Sequence, residues 1–229
     1  MKKRIFIIII SLLLFHNLFA GFFIDNKEEG YIAYVPKVMD RNTQIPLLVV
    51  LPGLFMSAKA EVDSWKFYTE KNNILVVGIY VDYTKLKTGV ETDQFYQRVI
   101  STVNVFYNDK KKYAIDRKRI FIAGTSAGGM CSMRFSLEHP GRLKGTAVVS
   151  GSNLYLWSIT PFLANAKGLH FYLLHGRKDN IILIDDFYAT KEALEKNGAN
   201  VKTYINENVG HNLQTTDYER AVKWMAELK

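Results

Sequence analysis

The chain predicts a doubly wound α/β fold, a mostly parallel sheet with helices on both faces. Short apolar runs rich in Val, Ile, Leu and Phe recur along its 229 residues, and several are continuous rather than alternating. Continuous runs suit strands buried on both faces of a parallel sheet. Segments of helical period separate them, and strand–helix alternation is the signature of this class. One run also turns sharply into a helical pattern through Gly124-Thr125-Ser126-Ala127-Gly128.

Taken in order, the strand-like runs are 31–35, 47–51, 74–80, 119–123, 145–150, 169–174 and 201–206. Helical patterns occupy 91–111, with Phe95, Val99, Thr102, Val103 and Phe106 on one face, and 185–197, with Phe187, Ala193 and Leu194. The second ends at Gly198, a natural C-cap. A third covers 218–228 with Ala221, Val222, Trp224 and Met225. After Ser126, the residues Met130, Cys131 and Phe135 recur at helical spacing until His139-Pro140-Gly141. In such sheets the working site lies at the carboxyl ends of the strands.

The N-terminus differs from the rest. Met1-Lys2-Lys3-Arg4 is a basic start, residues 5–15 are almost wholly apolar, and Leu18-Phe19-Ala20 follows. This is the pattern of a secretory signal cleaved after Ala20, or of an uncleaved anchor. The expectation is therefore a leader at 1–20, a single α/β domain at 21–229, and export to the periplasm or beyond. Contact with a membrane is expected only through that segment.

The formal charge is +8. Lys110-Lys111-Lys112 with Arg117, Lys118 and Arg119 reads as a solvated helix end and loop ahead of a strand, with no nucleic-acid motif beside it. Cys131 is the single cysteine, so no disulfide within the chain is possible. It lies one turn past Ser126 on the apolar face and reads as a small buried filler. Neither C-x-x-C nor H-E-x-x-H occurs, and no metal or cofactor is expected. Oligomeric state is not legible.

Gly124-Thr125-Ser126-Ala127-Gly128 has the G-x-S-x-G spacing of a nucleophile elbow, where glycines let a strand turn sharply enough to hold the serine exposed. A serine hydroxyl needs a base to take its proton and an acid to orient that base, in the chain order Ser, Asp or Glu, His. His16 belongs to the leader, His139 to a helix end, and His170 and His175 bracket an apolar strand. His211, in Asn208-Val209-Gly210-His211-Asn212, alone follows the last strand, on a loop that can reach over the strand ends. Asp179 follows the 169–174 run on a loop at the same sheet edge. Its rivals Asp185 and Asp186 fall at the start of the next helix, where capping and dipole compensation explain them. For the oxyanion, Ala127 N–H at a helix N-terminus is one donor. The other comes from Leu51-Pro52-Gly53-Leu54-Phe55, with Leu54 N–H first and Phe55 N–H second.

On these residues the chain resembles the α/β-hydrolase superfamily, and within it the polyhydroxybutyrate depolymerase-like and feruloyl-esterase-like esterases. The resemblance spans about residues 30 to 228. It rests on Tyr31 to Pro36 and Pro46 to Gly53, on Tyr113-Ala114-Ile115-Asp116 through Gly129, on Leu174-His175-Gly176 with Asp179, and on Gly210-His211. It implies the α/β-hydrolase fold, with Ser126 as nucleophile, Asp179 as acid and His211 as base. Such enzymes usually carry His-Gly where this chain has Pro52-Gly53.

Only residues 151–168 lie where this fold often inserts a lid, so little or no lid is expected. Phe55, Tyr155 and Trp157 are expected to contact substrate in a shallow site suited to short-chain or accessible esters. The alternatives left open are a serine peptidase of the same fold and a non-catalytic envelope binding protein that retains it.

Overall fold

The computed structural model describes residues 21–37, 43–86, 89–153 and 159–228. Eight strands form one sheet: β1 (Phe22–Asn26), β2 (Tyr31–Val35), β3 (Ile45–Leu51), β4 (Leu75–Ile79), β5 (Ile115–Thr125), β6 (Gly145–Val149), β7 (His170–Gly176) and β8 (Asn200–Asn206). Their spatial order is β1-β2-β4-β3-β5-β6-β7-β8. The pairs β1/β2 and β2/β4 are antiparallel, and every other pair is parallel. The helices are α1 (Ala58–Lys71), α2 (Gly89–Asn108), α3 (Ala127–Glu138), α4 (Ile184–Lys196) and α5 (Thr215–Glu227). Short 3₁₀ turns cover Tyr83–Lys85 and Thr160–Ala166.

The continuous apolar runs are buried on both faces because each strand feeds two cores in alternation. On β3, Leu47, Val49 and Leu51 face a core with Phe95, Val99 and Phe106 of α2 and Phe135 of α3. Leu48 and Val50 of the same strand face Trp65 of α1 and Val222, Trp224 and Met225 of α5. A third cluster, with Phe171, Phe187 and Leu194, seats α4 on the β7 side of the sheet.

Two elements escape the sequence pattern. β1 is an edge strand with exposed residues, and its apolar start runs on from the apolar sequence before it, so no period separates the two. α1 buries Ala58, Glu61, Val62, Trp65, Tyr68 and Thr69, a helical stripe whose second member is a carboxylate. That single charge conceals the stripe from hydrophobic periodicity. β5 also extends further back than the 119–123 run, through Asp116, which accepts from Lys118 N and Arg119 Nε.

At α4 the expected capping by Asp185 or Asp186 is not found. Leu183 occupies the N-cap position with no side-chain cap bond, and the two aspartates sit in the first turn, where they complement the helix dipole. Gly198 does adopt the left-handed backbone, at φ 83°, just past the helix end. Cys131 is buried, and burial pushes its thiol well above the usual range. Among the described residues no helix is long and apolar enough to cross a membrane.

Phe121 lies at the centre of β5, fully buried, with its ring 6.4 Å from that of Trp224. Truncating it removes part of the contact between the middle of the sheet and α5. Phe121→Ala is expected to cost about 3–5 kcal/mol, which lowers Tm by roughly 10 °C in a domain of this size. Thermal unfolding followed by circular dichroism measures it.

Candidate active site

Strand β5 delivers Ser126 to the carboxyl edge of the sheet, and α3 starts at the next residue. Ser126 has φ 54° and ψ −120°, a backbone that side chains rarely adopt. It persists because its neighbours are fixed. Ser126 N–H donates to Val149 O at 2.8 Å, and Met130 N–H donates to Ser126 O at 3.1 Å.

Two glycines make room for the turn. A Cβ on Gly128 would collide with the carbonyl oxygens of Leu51 and Pro52, and one on Gly124 would collide with the backbone of Gly128. The elbow thus packs, backbone against backbone, on the end of β3. Gly53 follows in the same loop, where a Cβ would meet Thr125 O at 3.3 Å and Ser126 Cβ at 3.6 Å. The Pro52 carbonyl is held by the Tyr83 hydroxyl at 2.7 Å.

Asp179 is buried on the turn after β7. One carboxylate oxygen accepts from Ile181 N–H and Ile182 N–H at 2.9 and 3.0 Å. The other lies 2.8 Å from His211 Nδ1. The turn is braced from below by His175, whose Nε2 is 2.9 Å from Ile182 O and 3.6 Å from the Asp179 oxygen that faces His211. Burial pushes the His175 pKa down, so the ring is neutral and its Nε2–H donates to Ile182 O. Its Nδ1 has no hydrogen-bond partner among the described residues. Of the histidines weighed from sequence, His175 is therefore a buried support, while His211 is the one beside the carboxylate.

Ser126 and His211 line one cleft of about 440 Å³, together with Gly53, Leu54, Phe55 and Thr125. Leu54 is half exposed and Phe55 is 95 % exposed, at φ 65°. The Leu54–Phe55 loop therefore stands at the mouth of the cleft. Ala127 opens α3, at the helix end that favours anions. A broader groove of about 840 Å³ adjoins across Met56 and Ser57, which line both. A separate pocket of about 180 Å³ under α2 contains neither a serine nor a histidine. Tyr155 and Trp157 lie outside the described residues. Among the described residues no group of His, Cys, Asp and Glu could hold a metal ion.

The sequence pattern does not single out two neighbours of this site, Glu61 and Tyr83, and assigns no supporting role to Thr125 or His175. Glu61 is fully buried on α1 and accepts from Trp65 Nε1 at 2.9 Å and from Thr125 Oγ1 at 3.0 Å. An acidic residue on a largely apolar helical stripe was its signal.

Residues 81–228 match the family described as phospholipase/carboxylesterase. A relative in Arabidopsis thaliana, a probable SOBER1-like carboxylesterase, is 23 % identical over 129 residues, which are 56 % of this chain and 49 % of the relative. The match thus spans about half the length of that curated relative. Among solved structures, an S-formylglutathione hydrolase of Staphylococcus aureus superposes with a TM-score of 0.70 at 16 % identity, covering 90 % of this chain and 95 % of its own. A truncated carbohydrate esterase from gut microbiota gives a TM-score of 0.72 at 15 % identity, with coverages of 89 % and 92 %. At such identities the superpositions bear on the fold, which is that of the α/β-hydrolases.

The backbone contact between the elbow and β3 predicts a specific sensitivity. Gly128→Ala places a methyl group against two carbonyl oxygens that cannot rotate away. It is expected to destabilise the protein by about 1–3 kcal/mol and to lower the melting temperature accordingly. Gly89→Ala, where nothing lies within 4 Å, is the control that does not.

Proposed function

Because the chain belongs to the phospholipase/carboxylesterase family, we propose that it is a serine carboxylic-ester hydrolase working through an acyl-enzyme, with Ser126 as nucleophile, His211 as base and Asp179 as acid. The observation that carries this reading is the 2.8 Å contact between His211 Nδ1 and a buried Asp179 oxygen, with His211 and Ser126 lining one cleft.

The chemistry follows from the donors. The Asp179 carboxylate accepts the Nδ1–H of His211, which leaves the Nε2 lone pair free to take a proton. Two backbone N–H groups on the other carboxylate oxygen, and His175 behind, fix the acid in place. Ser126 Oγ attacks the ester carbonyl as His211 removes its proton. The negative oxygen of the tetrahedral intermediate is met by Ala127 N–H and by Leu54 N–H, with Phe55 N–H as the alternative donor. His211 then gives its proton to the leaving alcohol, and water activated by the same imidazole releases the acid.

An open cleft, with Phe55 exposed at its rim, supports short-chain or otherwise accessible esters as substrates. Phe55 is assigned to substrate contact. In this reading the leader-like segment 1–20 exports the enzyme, which then meets its ester in the periplasm or outside the cell.

Hydrolysis of p-nitrophenyl acetate and butyrate tests the proposal. Ser126→Ala is expected to lower kcat by about 10³-fold or more. Asp179→Asn, which removes the acceptor that holds the His211 tautomer, is expected to cost a comparable factor. Equal turnover by wild type and Ser126→Ala removes Ser126 as nucleophile.

His211 acts as base only in its uncharged form, so kcat/KM is expected to fall at acidic pH, and a pH–rate profile without an acidic limb assigns the base to another group.

A further inference from the structure

We infer that Glu61 is a positioning residue for the reaction: its buried carboxyl ties the helix that follows the oxyanion loop to the strand that ends in the nucleophile. The inference rests on the serine-hydrolase reading above, because it concerns the spacing between Ser126 and the Leu54–Phe55 loop.

Four observations support the tie. The loop 53–56 closes on itself through Met56 N–H to Gly53 O at 3.0 Å and runs directly into the Ser57 cap of α1. Glu61 sits one turn later, with its own N–H on Ser57 O at 3.1 Å. Its Oε1 accepts from Thr125 Oγ1, on the residue immediately before Ser126. The Thr125 hydroxyl has one proton and donates it to Glu61, so the Tyr218 hydroxyl, 3.3 Å away, donates to Thr125. A directional chain results, from Tyr218 on α5 through Thr125 to Glu61, with Trp65 Nε1–H as the second donor to Glu61.

The other carboxyl oxygen, Oε2, is buried with no hydrogen-bond partner among the described residues. An unpartnered buried oxygen costs far less as part of a neutral carboxyl than as part of a carboxylate. The titratable groups facing Glu61 are the phenols of Tyr218 on α5 and Tyr83 on the adjoining 3₁₀ turn. Burial holds both phenols protonated, so neither compensates a negative charge. Asp217, immediately before Tyr218 in the first turn of α5, is engaged by Asn206 Nδ2 and Gln214 N–H. Burial accordingly pushes the Glu61 pKa up to about 7, against the opposing hydrogen bonds from Trp65 and Thr125.

A neutral carboxyl is therefore the form that fits this pocket, and it has a consequence for stability. Below the ordinary value of 4.5 the folded and unfolded chains both hold the proton. Between 4.5 and about 7 only the folded chain holds it. The stability contributed by Glu61 is thus present at low pH and is lost as pH rises through about 7.

The test compares wild type with Glu61→Gln, Glu61→Leu, Thr125→Val and the Glu61→Leu/Thr125→Val double variant, measuring kcat and KM on p-nitrophenyl butyrate and Tm from pH 5 to 9. Removing either end of the tie is expected to lower kcat by about tenfold to a hundredfold, the scale of a misplaced reacting group, with KM within about threefold. The double variant should be no worse than the poorer single one, because both remove the same bond. Glu61→Gln keeps the acceptor oxygen without the charge. It should recover most of the lost kcat and should gain Tm relative to wild type as pH rises from 5 to 9. Additive losses, a folded Glu61→Leu protein with wild-type kcat, or a Glu61→Gln protein as impaired as Glu61→Leu overturns the inference. If Glu61→Leu does not fold, Thr125→Val decides from the other end of the bond, and a folded Thr125→Val protein with wild-type kcat overturns it. If wild type hydrolyses no ester, the serine-hydrolase reading fails. The tie is then judged from Tm alone, where additive losses for Glu61→Leu and Thr125→Val overturn it.

Discussion

Ser126 can stand at φ 54° only while the residues on either side of it are held by backbone contacts. Gly124 and Gly128 touch each other's turn, and Gly128 rests against the carbonyls that end β3. These contacts require β3 and β5 to be parallel neighbours, as they are from Leu47/Ile120 to Leu51/Gly124. The same register brings the Gly53–Met56 loop beside the serine. One steric constraint, that the turn admits no Cβ at Gly128, thus couples the central strand pair to the proposed nucleophile and to the loop proposed to stabilise the oxyanion.

The proposed acid and base arrive from the other half of the sheet. β7 and β8 run parallel in register from His170/Asn200 to Gly176/Asn206, so the loops after them leave the same edge side by side. Gly176 packs against the carbonyls of Val209 and Gly210, and Lys178 N–H donates to Val209 O at 2.9 Å. These contacts lock the Asp179 turn to the His211 loop. The short Asp179–His211 distance is therefore a property of two loops bonded along their length as well as of the two side chains.

Polar groups buried behind the site follow one pattern. His175 under Asp179 and Glu61 under Thr125 are both pushed by burial toward their neutral forms. Among the described residues each leaves one atom without a partner, Nδ1 in the first and Oε2 in the second. Neither forms part of the proposed proton path. Each brings a directional bond where apolar packing alone would allow the adjoining turn to slide. A hydrogen bond between defined atoms fixes distance and angle together, which dispersion contacts do not.

Much of the architecture is determined by the sequence itself. Apolar runs buried on both faces specify a parallel sheet, and their order along the chain places the loops after β3, β5, β7 and β8 at one edge. The spacing of Gly124, Ser126 and Gly128 marks the elbow because the requirement for no side chain is local to the turn. His211 and Asp179 are legible because each follows directly on a strand whose end is at that edge. α1 and β1 are not legible: the first hides its stripe behind Glu61, and the second is an exposed edge continuous in sequence with the apolar residues before it. The pairing of Glu61 with Thr125, 64 positions apart, and the support of Asp179 by His175 are likewise decided only by the tertiary structure. Whether a lone carboxylate or imidazole lies in solvent or behind a nucleophile depends on which helix packs on which strand. That packing is a sum over many distant contacts, and no local periodicity encodes it.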